Sequence, residues 1–187
     1  MHVKSPRRVF KLRANNDKPF VPEPNTGHIY LADLDKHGKD VRIITQCVDV
    51  LHQKAGSKLV VELHGNSRRF YCMECDREYP YSEIPLGEQN IPRCPIDNGI
   101  IRADIILFGE NLKPRVLERV KTLLAESDLL IIAGTSLSVS PTKTLIRHFE
   151  SNKVVVINQT PLDITDLSID LFISDPVGET LSKLDIH

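Results

Sequence analysis

An α/β fold, a parallel sheet flanked by helices with one small insert, is predicted by three features of this sequence. Short β-branched apolar runs alternate with helical patterns along most of the chain. Two of those runs stop abruptly at polar groups: Ile43-Ile44-Thr45 leads into Gln46, Cys47 and Asp49, and Leu59-Val60-Val61-Glu62-Leu63 leads into His64 and Gly65. Residues 65–103 then change character, becoming polar and proline-bearing and holding three of the four cysteines. Continuous apolar runs read as strands buried on both faces, and open α/β sheets bind ligands at the carboxyl ends of their strands. Gln46, Asp49 and His64 are therefore expected on one rim, the candidate active site.

The elements follow in order. Residues 1–22 are poorly patterned, and the first eighteen carry six basic residues against Asp17 alone, which reads as a solvated basic arm. Asn25 or Thr26 caps a helix to about His37, with Gly38 beyond its end. Strand 41–45, a short helix near Val50–Lys54 and strand 59–63 come next. After the insert, strand 105–108 resumes the pattern. A helix over about Pro114–Glu126 has Val116, Leu117, Val120, Leu123 and Leu124 at helical spacing. Strand 129–133 ends at Gly134-Thr135-Ser136, and a helix over about 141–150 leads to strand 154–157, ending at Asn158. A strand at 169–173 ends at Ser174-Asp175, before a short helix near 177–184. Alternation of this kind implies parallel β-α-β units with right-handed crossovers.

At 187 residues and a net charge of -1, the chain suits one full-sized core with a small satellite and gives no basic footprint for nucleic acid. No apolar run reaches membrane-spanning length, so neither membrane nor nucleic acid is an expected partner. Without a visible signal peptide, the paired cysteines suggest a reducing, intracellular setting, cytoplasmic by default.

Cys72-Met73-Glu74-Cys75 and Cys94-Pro95-Ile96-Asp97 are two close pairs separated by eighteen residues. That spacing suits a structural zinc site in which each knuckle gives two ligands to a tetrahedron. The fourth position is a carboxylate, so the expected set is Cys72, Cys75, Cys94 and Asp97. Arg68, Arg69, Arg77 and Arg93 in the insert are offset by Glu74, Asp76, Glu78, Glu83 and Glu88, against a nucleic-acid-binding ribbon.

Taken together, Thr45-Gln46-Cys47-Val48-Asp49, Glu62-Leu63-His64-Gly65, the cysteine pairs, Arg102 through Glu110, Gly134-Thr135-Ser136-Leu137-Ser138-Val139 and Val156-Ile157-Asn158 occur in the order seen in sirtuins. The chain resembles that family from about Pro24 to Leu184. Sirtuins are NAD-dependent protein-lysine deacylases, some with ADP-ribosyltransferase activity. The resemblance implies a Rossmann-like NAD-binding domain (1–64 and 104–187) and a small zinc-binding module (65–103). It implies His64 as the base acting on the ribose hydroxyls, an imidazole being suited to accept a proton near neutral pH. Asp49 resembles the carboxylate that holds the nicotinamide carboxamide, and Gln46 a ribose contact. Gly134, Thr135 and Ser136 resemble the turn against the cofactor's ribose-phosphate portion, and Asn158 a contact to the adenosine ribose. Phe108, Gly109 and Glu110 resemble the loop that receives an acyl-lysine peptide as an added strand. For Phe108 alone, packing in the core is an equal expectation.

The chain also departs from the family pattern. Nothing in residues 1–24 matches its first strand and glycine-rich turn, so the sheet is expected to be incomplete unless residues 1–22 or a partner chain cover the gap. Cys47 stands where the family has asparagine, Val50 where it has glycine, and Asp97 where it has a fourth cysteine. The implied function is NAD-dependent protein deacylation with acyl transfer to ADP-ribose and release of nicotinamide. The alternatives are a catalytically impaired binding module and, behind it, a mono-ADP-ribosyltransferase.

Overall fold

The computed structural model describes residues 22–87, 91–138, 142–151, 153–165 and 167–185. The basic arm expected over the first eighteen residues lies outside them. The described residues divide into two compact units, one built from Val48–Val50 and His64–Phe108, the other from Glu23–Cys47, Leu51–Leu63 and the chain from Gly109 onward.

The larger unit is the parallel one. Helix α1 (Thr26–Lys36) starts at Asn25, whose side-chain oxygen accepts from the His28 backbone N–H at 3.1 Å while His28 Nδ1 accepts from the Asn25 N–H at 3.3 Å. Strand β1 (Arg42–Thr45), helix α2 (Leu51–Ala55) and strand β2 (Leu59–Glu62) follow, with Ile43 opposite Val60 in a parallel pair. Helix α3 (Pro114–Ala125) opens on a proline at its first turn and buries Val120, Leu123 and Leu124. Arg42 ties β1 to the end of α3, donating to Glu126 at 2.9 Å and to the Leu123 carbonyl at 3.4 Å. Strands β6 (Leu130–Ala133), β7 (Val154–Ile157) and β8 (Leu171–Ile173) make a second parallel sheet in that order. Among the described residues no strand joins the two parallel sheets.

The last helix, α5 (Val177–Ser182), packs on α1 through two glycines. A Cβ on Gly27 would meet Gly178 Cα at 3.2 Å, and Thr26 Oγ1 donates to the Gly178 carbonyl at 3.0 Å. That close approach fixes where α5 begins.

Two expectations for this unit need correction. Burial on both faces holds for the middle strand β7, where Val154, Val156 and Ile157 are buried, but in β6 only Ile132 is. The helix expected over 141–150 is also shorter: α4 spans Thr142–Leu145 and tightens into a 3₁₀ turn at Ile146–His148.

The smaller unit is antiparallel. Strand β3 (Gly65–Cys72) lies between β4 (Glu78–Pro80) and β5 (Ile101–Ile105). Phe70, Cys72, Tyr79, Cys94, Ile101 and Ala103 are buried together, with Ile84 and Ile105 packed against them. The strand expected at 105–108 is thus displaced: it runs from Ile101 to Ile105 as an antiparallel partner of β3. Phe108 falls beyond it and is 99% exposed, which excludes the core-packing alternative for it. The apolar run Ile105–Phe108 looked strand-like because burial of Ile101 and Ala103 is masked by the polar residues between them. No helix among the described residues is long and apolar enough to cross a membrane.

Candidate functional site

The carboxyl ends of β6, β7 and β8 surround a cavity of about 440 Å³. Gly134, Thr135 and Ser136 come from the end of β6, and Asn158, Gln159 and Thr160 from the end of β7. Asp175, Pro176 and Val177 close it between β8 and α5. Gly134 has φ +58, the left-handed region that a side chain disfavours. Asn158 is buried and its amide is engaged at both ends: Oδ1 accepts from the Thr135 N–H at 3.0 Å, and Nδ2 donates to the Thr160 carbonyl at 2.7 Å. One side chain therefore holds two walls of the cavity together. Thr135 Oγ1 accepts from the Leu137 N–H at 3.1 Å, closing the turn over a buried Leu137.

The cavity brings the tripeptide Gly134-Thr135-Ser136 beside Asn158, two sites singled out from the sequence and separate in the chain. Sequence reading missed Gln159, Thr160, Asp175, Pro176 and Val177 as lining residues. The end of β8 at Ser174-Asp175 was legible, but which strand ends stand beside it was not.

His64, Asp49 and Phe108 lie in the other unit. His64 is half-buried, and its carbonyl accepts from the Ile106 N–H at 2.9 Å. Gly65 follows with φ +78, and a Cβ there would stand 1.9 Å from the Asp104 carbonyl oxygen. Only glycine permits this crossing, so the backbone carrying the imidazole is set by the β3–β5 pairing. The Asp49 segment is tethered by the Ser67 N–H, which donates to the Val48 carbonyl at 3.1 Å. Val50 next to it has φ +63, a conformation that a β-branched residue adopts only under strain. Gln46 and Cys47 follow β1 in the larger unit, the former half-buried and the latter exposed. Gly109 turns with φ +84 after the exposed Phe108, and Glu110 is half-buried.

Cys72, Cys75, Cys94 and Asp97 present ligand atoms that all lie within 4.8 Å of one another. The two knuckles repeat one backbone pattern. The Cys72 N–H donates to the Arg77 carbonyl at 2.9 Å and the Asp76 N–H to Cys72 at 3.1 Å. In the second, Cys94 donates to Gly99 at 2.9 Å and Asn98 to Cys94 at 2.9 Å. Asp76 and Asn98 are both left-handed, at φ 57 and φ 59. A tetrahedral zinc with thiolate bonds of about 2.3 Å needs sulfurs about 3.8 Å apart. Cys75 and Cys94 Sγ are 3.8 Å apart, and Cys72 Sγ is 3.3 Å from Asp97 Oδ1. The donor set fits a closed, four-ligand zinc site.

The metal-free electrostatics reflect that crowding. Donation to the Asp97 carboxylate pushes the Cys75 thiol up to about 12, and the same thiol, ahead of the Gly99 N–H, holds Asp97 below the usual carboxylate range. Burial pushes the Cys94 thiol up, but the Tyr79 hydroxyl and the N–H groups of Ile96 and Asp97 outweigh it and the net shift is downward. Tyr79 Oη donates to Cys94 Sγ at 3.1 Å, and that bond pushes the phenol up to about 12. No other cluster of three or more metal-binding side chains occurs among the described residues.

Comparison with known proteins gives the same family by three routes. The Sir2 family model matches residues 1–141. An NAD-dependent protein deacetylase of Clostridium acetobutylicum is 40% identical over 162 residues, covering 87% of this chain and 66% of the relative. An NAD-dependent protein deacylase of Pyrococcus furiosus is 40% identical over 173 residues, covering 89% of this chain and 69% of the relative. Among solved structures, "Sir2 bound to acetylated peptide" superposes with a TM-score of 0.85 at 32% identity, covering 94% of this chain and 76% of that one. "Sir2-p53 peptide-NAD+" gives a TM-score of 0.82 at 33% identity, covering 94% and 75%. The chain spans about two thirds of the length of the curated relatives it matches.

Proposed function

This chain belongs to the Sir2 family, and from that membership we propose that it acts as an NAD-dependent protein-lysine deacylase. The observation that carries the reading is the run of relatives about 40% identical over most of the chain, all named as NAD-dependent deacetylases or deacylases. The cavity at the strand ends supports it, since four positions expected to meet NAD line one space.

When bound, NAD supplies an electrophilic anomeric carbon, nicotinamide as leaving group and ADP-ribose as acyl acceptor. The residues do the rest. His64 takes a proton from a ribose hydroxyl, a task for which an imidazole near its neutral range is suited. Asp49 accepts hydrogen bonds from the nicotinamide carboxamide, which carries amide donors and no charge to repel it. Gln46 offers an amide to the same ribose. Gly134, Thr135, Ser136 and Asn158 hold the adenosine end, where glycine admits close backbone approach and the hydroxyls donate. Phe108, Gly109 and Glu110 form the loop that receives an acyl-lysine peptide, which pairs as an added strand.

We assign zinc to Cys72, Cys75, Cys94 and Asp97. A site with four protein ligands leaves no open position, so the ion is structural: it holds the knuckles and takes no part in acyl transfer. The domain reading is a Rossmann-like cofactor domain (1–64 and 104–187) carrying a zinc module (65–103).

Deacetylation of an acetyl-lysine peptide, with and without NAD, tests the proposal on this chain and on His64→Ala. The expected result is NAD-dependent turnover that falls at least about a hundredfold in the variant. NAD-independent turnover, or turnover unchanged by His64→Ala, would overturn it. Peptide binding with no turnover in either protein would leave the binding-module reading instead.

A further inference from the structure

Tyr79 takes no part in the proposed reaction, yet its hydroxyl is buried against a metal ligand. Strand β4 pairs Tyr79 with Phe70 of β3 and leaves Glu78 and Pro80 exposed, so of the three only Tyr79 turns inward. There it joins Phe70, Cys72, Cys94 and Ile101 in the buried cluster of the small unit. Phenylalanine would fill the same space without a polar atom to satisfy. The hydroxyl that tyrosine adds goes to sulfur: Oη donates to Cys94 Sγ at 3.1 Å, and the bond is buried. On the ring itself, the Arg77 guanidinium lies 5.9 Å from the centroid, within reach of a cation–π contact.

Three thiolates and one carboxylate carry more negative charge than a divalent cation cancels. Hydrogen-bond donors behind the ligands take up the excess, and they fix the direction in which each ligand points. The backbone supplies two of them: the Glu74 N–H donates to Cys72 Sγ at 3.4 Å, and the Gly99 N–H to Asp97 Oδ1 at 2.8 Å. Cys94, buried beside Tyr79, receives a side-chain donor as well, and a side chain can be substituted where a backbone N–H cannot.

We infer that Tyr79 is a positioning residue for the zinc site: its hydroxyl orients the Cys94 thiolate, takes up part of its charge and slows loss of the metal. The inference rests on the assignment of zinc to Cys72, Cys75, Cys94 and Asp97, and it is independent of deacylase activity. Tyr79 acts through Cys94 and is not itself a ligand.

The test compares the full chain with Tyr79→Phe and Tyr81→Phe, each first checked for an unchanged circular dichroism spectrum. Tyr81 is exposed and lies against Phe70 with ring centroids 5.7 Å apart, so its variant controls for loss of a phenol alone. Two quantities are read: the rate of zinc release to excess chelator, and the sulfur-to-metal charge-transfer band of the cobalt(II)-loaded proteins. In Tyr79→Phe, zinc should leave about tenfold or more faster. Its charge-transfer band should move to lower energy, because sulfur lone pairs relieved of a donor are held less tightly. Tyr81→Phe should leave rate and band where they are in the parent. An unchanged release rate in Tyr79→Phe, with or without a shifted band, would overturn the inference. Faster release with an unshifted band would assign the effect to packing and overturn it too. A parent chain that binds neither ion would overturn the zinc assignment and this inference together, leaving the deacylase proposal to its own assay.

Discussion

Asp97 occupies in the second knuckle the position that Cys75 occupies in the first. Each is followed by a left-handed residue, Asn98 or Asp76, whose N–H closes back on the first cysteine of its pair. The backbone thus aims a carboxylate where a thiolate is otherwise expected. Zinc content and chelator competition on Asp97→Ala, Asp97→Cys and Cys72→Ala check the consequence. Asp97→Ala and Cys72→Ala should each lower zinc affinity by tenfold or more, to the order set by losing one ligand, and Asp97→Cys should retain or tighten it. Undiminished zinc after Asp97→Ala would remove Asp97 from the ligand set.

Zinc binding should strengthen as pH rises. Below about 12 the Cys75 thiol of the metal-free chain keeps its proton, and a thiolate ligand must lose it, so zinc displaces at least that proton. Asp97 stays ionised to unusually low pH and adds no such dependence near neutrality. The check is proton release, read as the dependence of calorimetric binding heat on buffer ionisation enthalpy. A binding constant flat between pH 6 and pH 8, set as the range to scan at roughly neutral conditions, would contradict it.

Metal removal should loosen one unit and spare the other. Among the described residues the small unit's hydrophobic cluster is small, and two of its buried members, Cys72 and Cys94, belong to the metal cluster. Hydrogen exchange after chelation should accelerate across β3, β4 and β5 and change little in β6 and β7.

Val50→Gly should stabilise the protein by about 1 kcal/mol. A left-handed conformation costs a side-chain-bearing residue about 1–2 kcal/mol, and glycine's greater unfolded-state freedom offsets part of the gain. With φ +63 at Val50, the strain term wins. Urea unfolding monitored by circular dichroism measures it; a lower midpoint in the variant would reverse the sign.

Asn158→Ala should cost about 1–3 kcal/mol, because the Thr135 N–H and the Thr160 carbonyl both lose a buried partner. Under the proposed function its kinetic mark is a raised KM for NAD with kcat little changed. Asn158→Asp keeps the acceptor for Thr135 and should recover part of the loss. A change confined to kcat would contradict a role in ordering the cavity.

Much of this was legible in the chain because burial and strand termini leave local marks. The β-branched runs placed β1, β2, β6 and β7 within a residue or two, and the abrupt polar stops after them marked Gly134, Thr135, Ser136 and Asn158. The cysteine spacing marked the cluster, since ligand pairs on tight turns must be close in sequence. The antiparallel sheet was not legible: Phe70, Tyr79 and Ile101 are buried through pairings between distant segments, and β3 bulges between Asn66 and Phe70, breaking its alternation. Asp175 was missed as a lining residue for a related reason. A lone aspartate after a short strand reads as a turn until the neighbouring strand ends are brought beside it.

Under the proposed function, deacylation by this chain is coupled to consumption of NAD. Mass spectrometry of a reaction containing the chain, an acetyl-lysine peptide and NAD tests it most directly. The expected products are deacetylated peptide, nicotinamide and acetylated ADP-ribose in equimolar amounts, none of them formed when any component is left out. Free acetate accumulating while NAD stays intact, or nicotinamide released with the peptide still fully acetylated, would contradict the account.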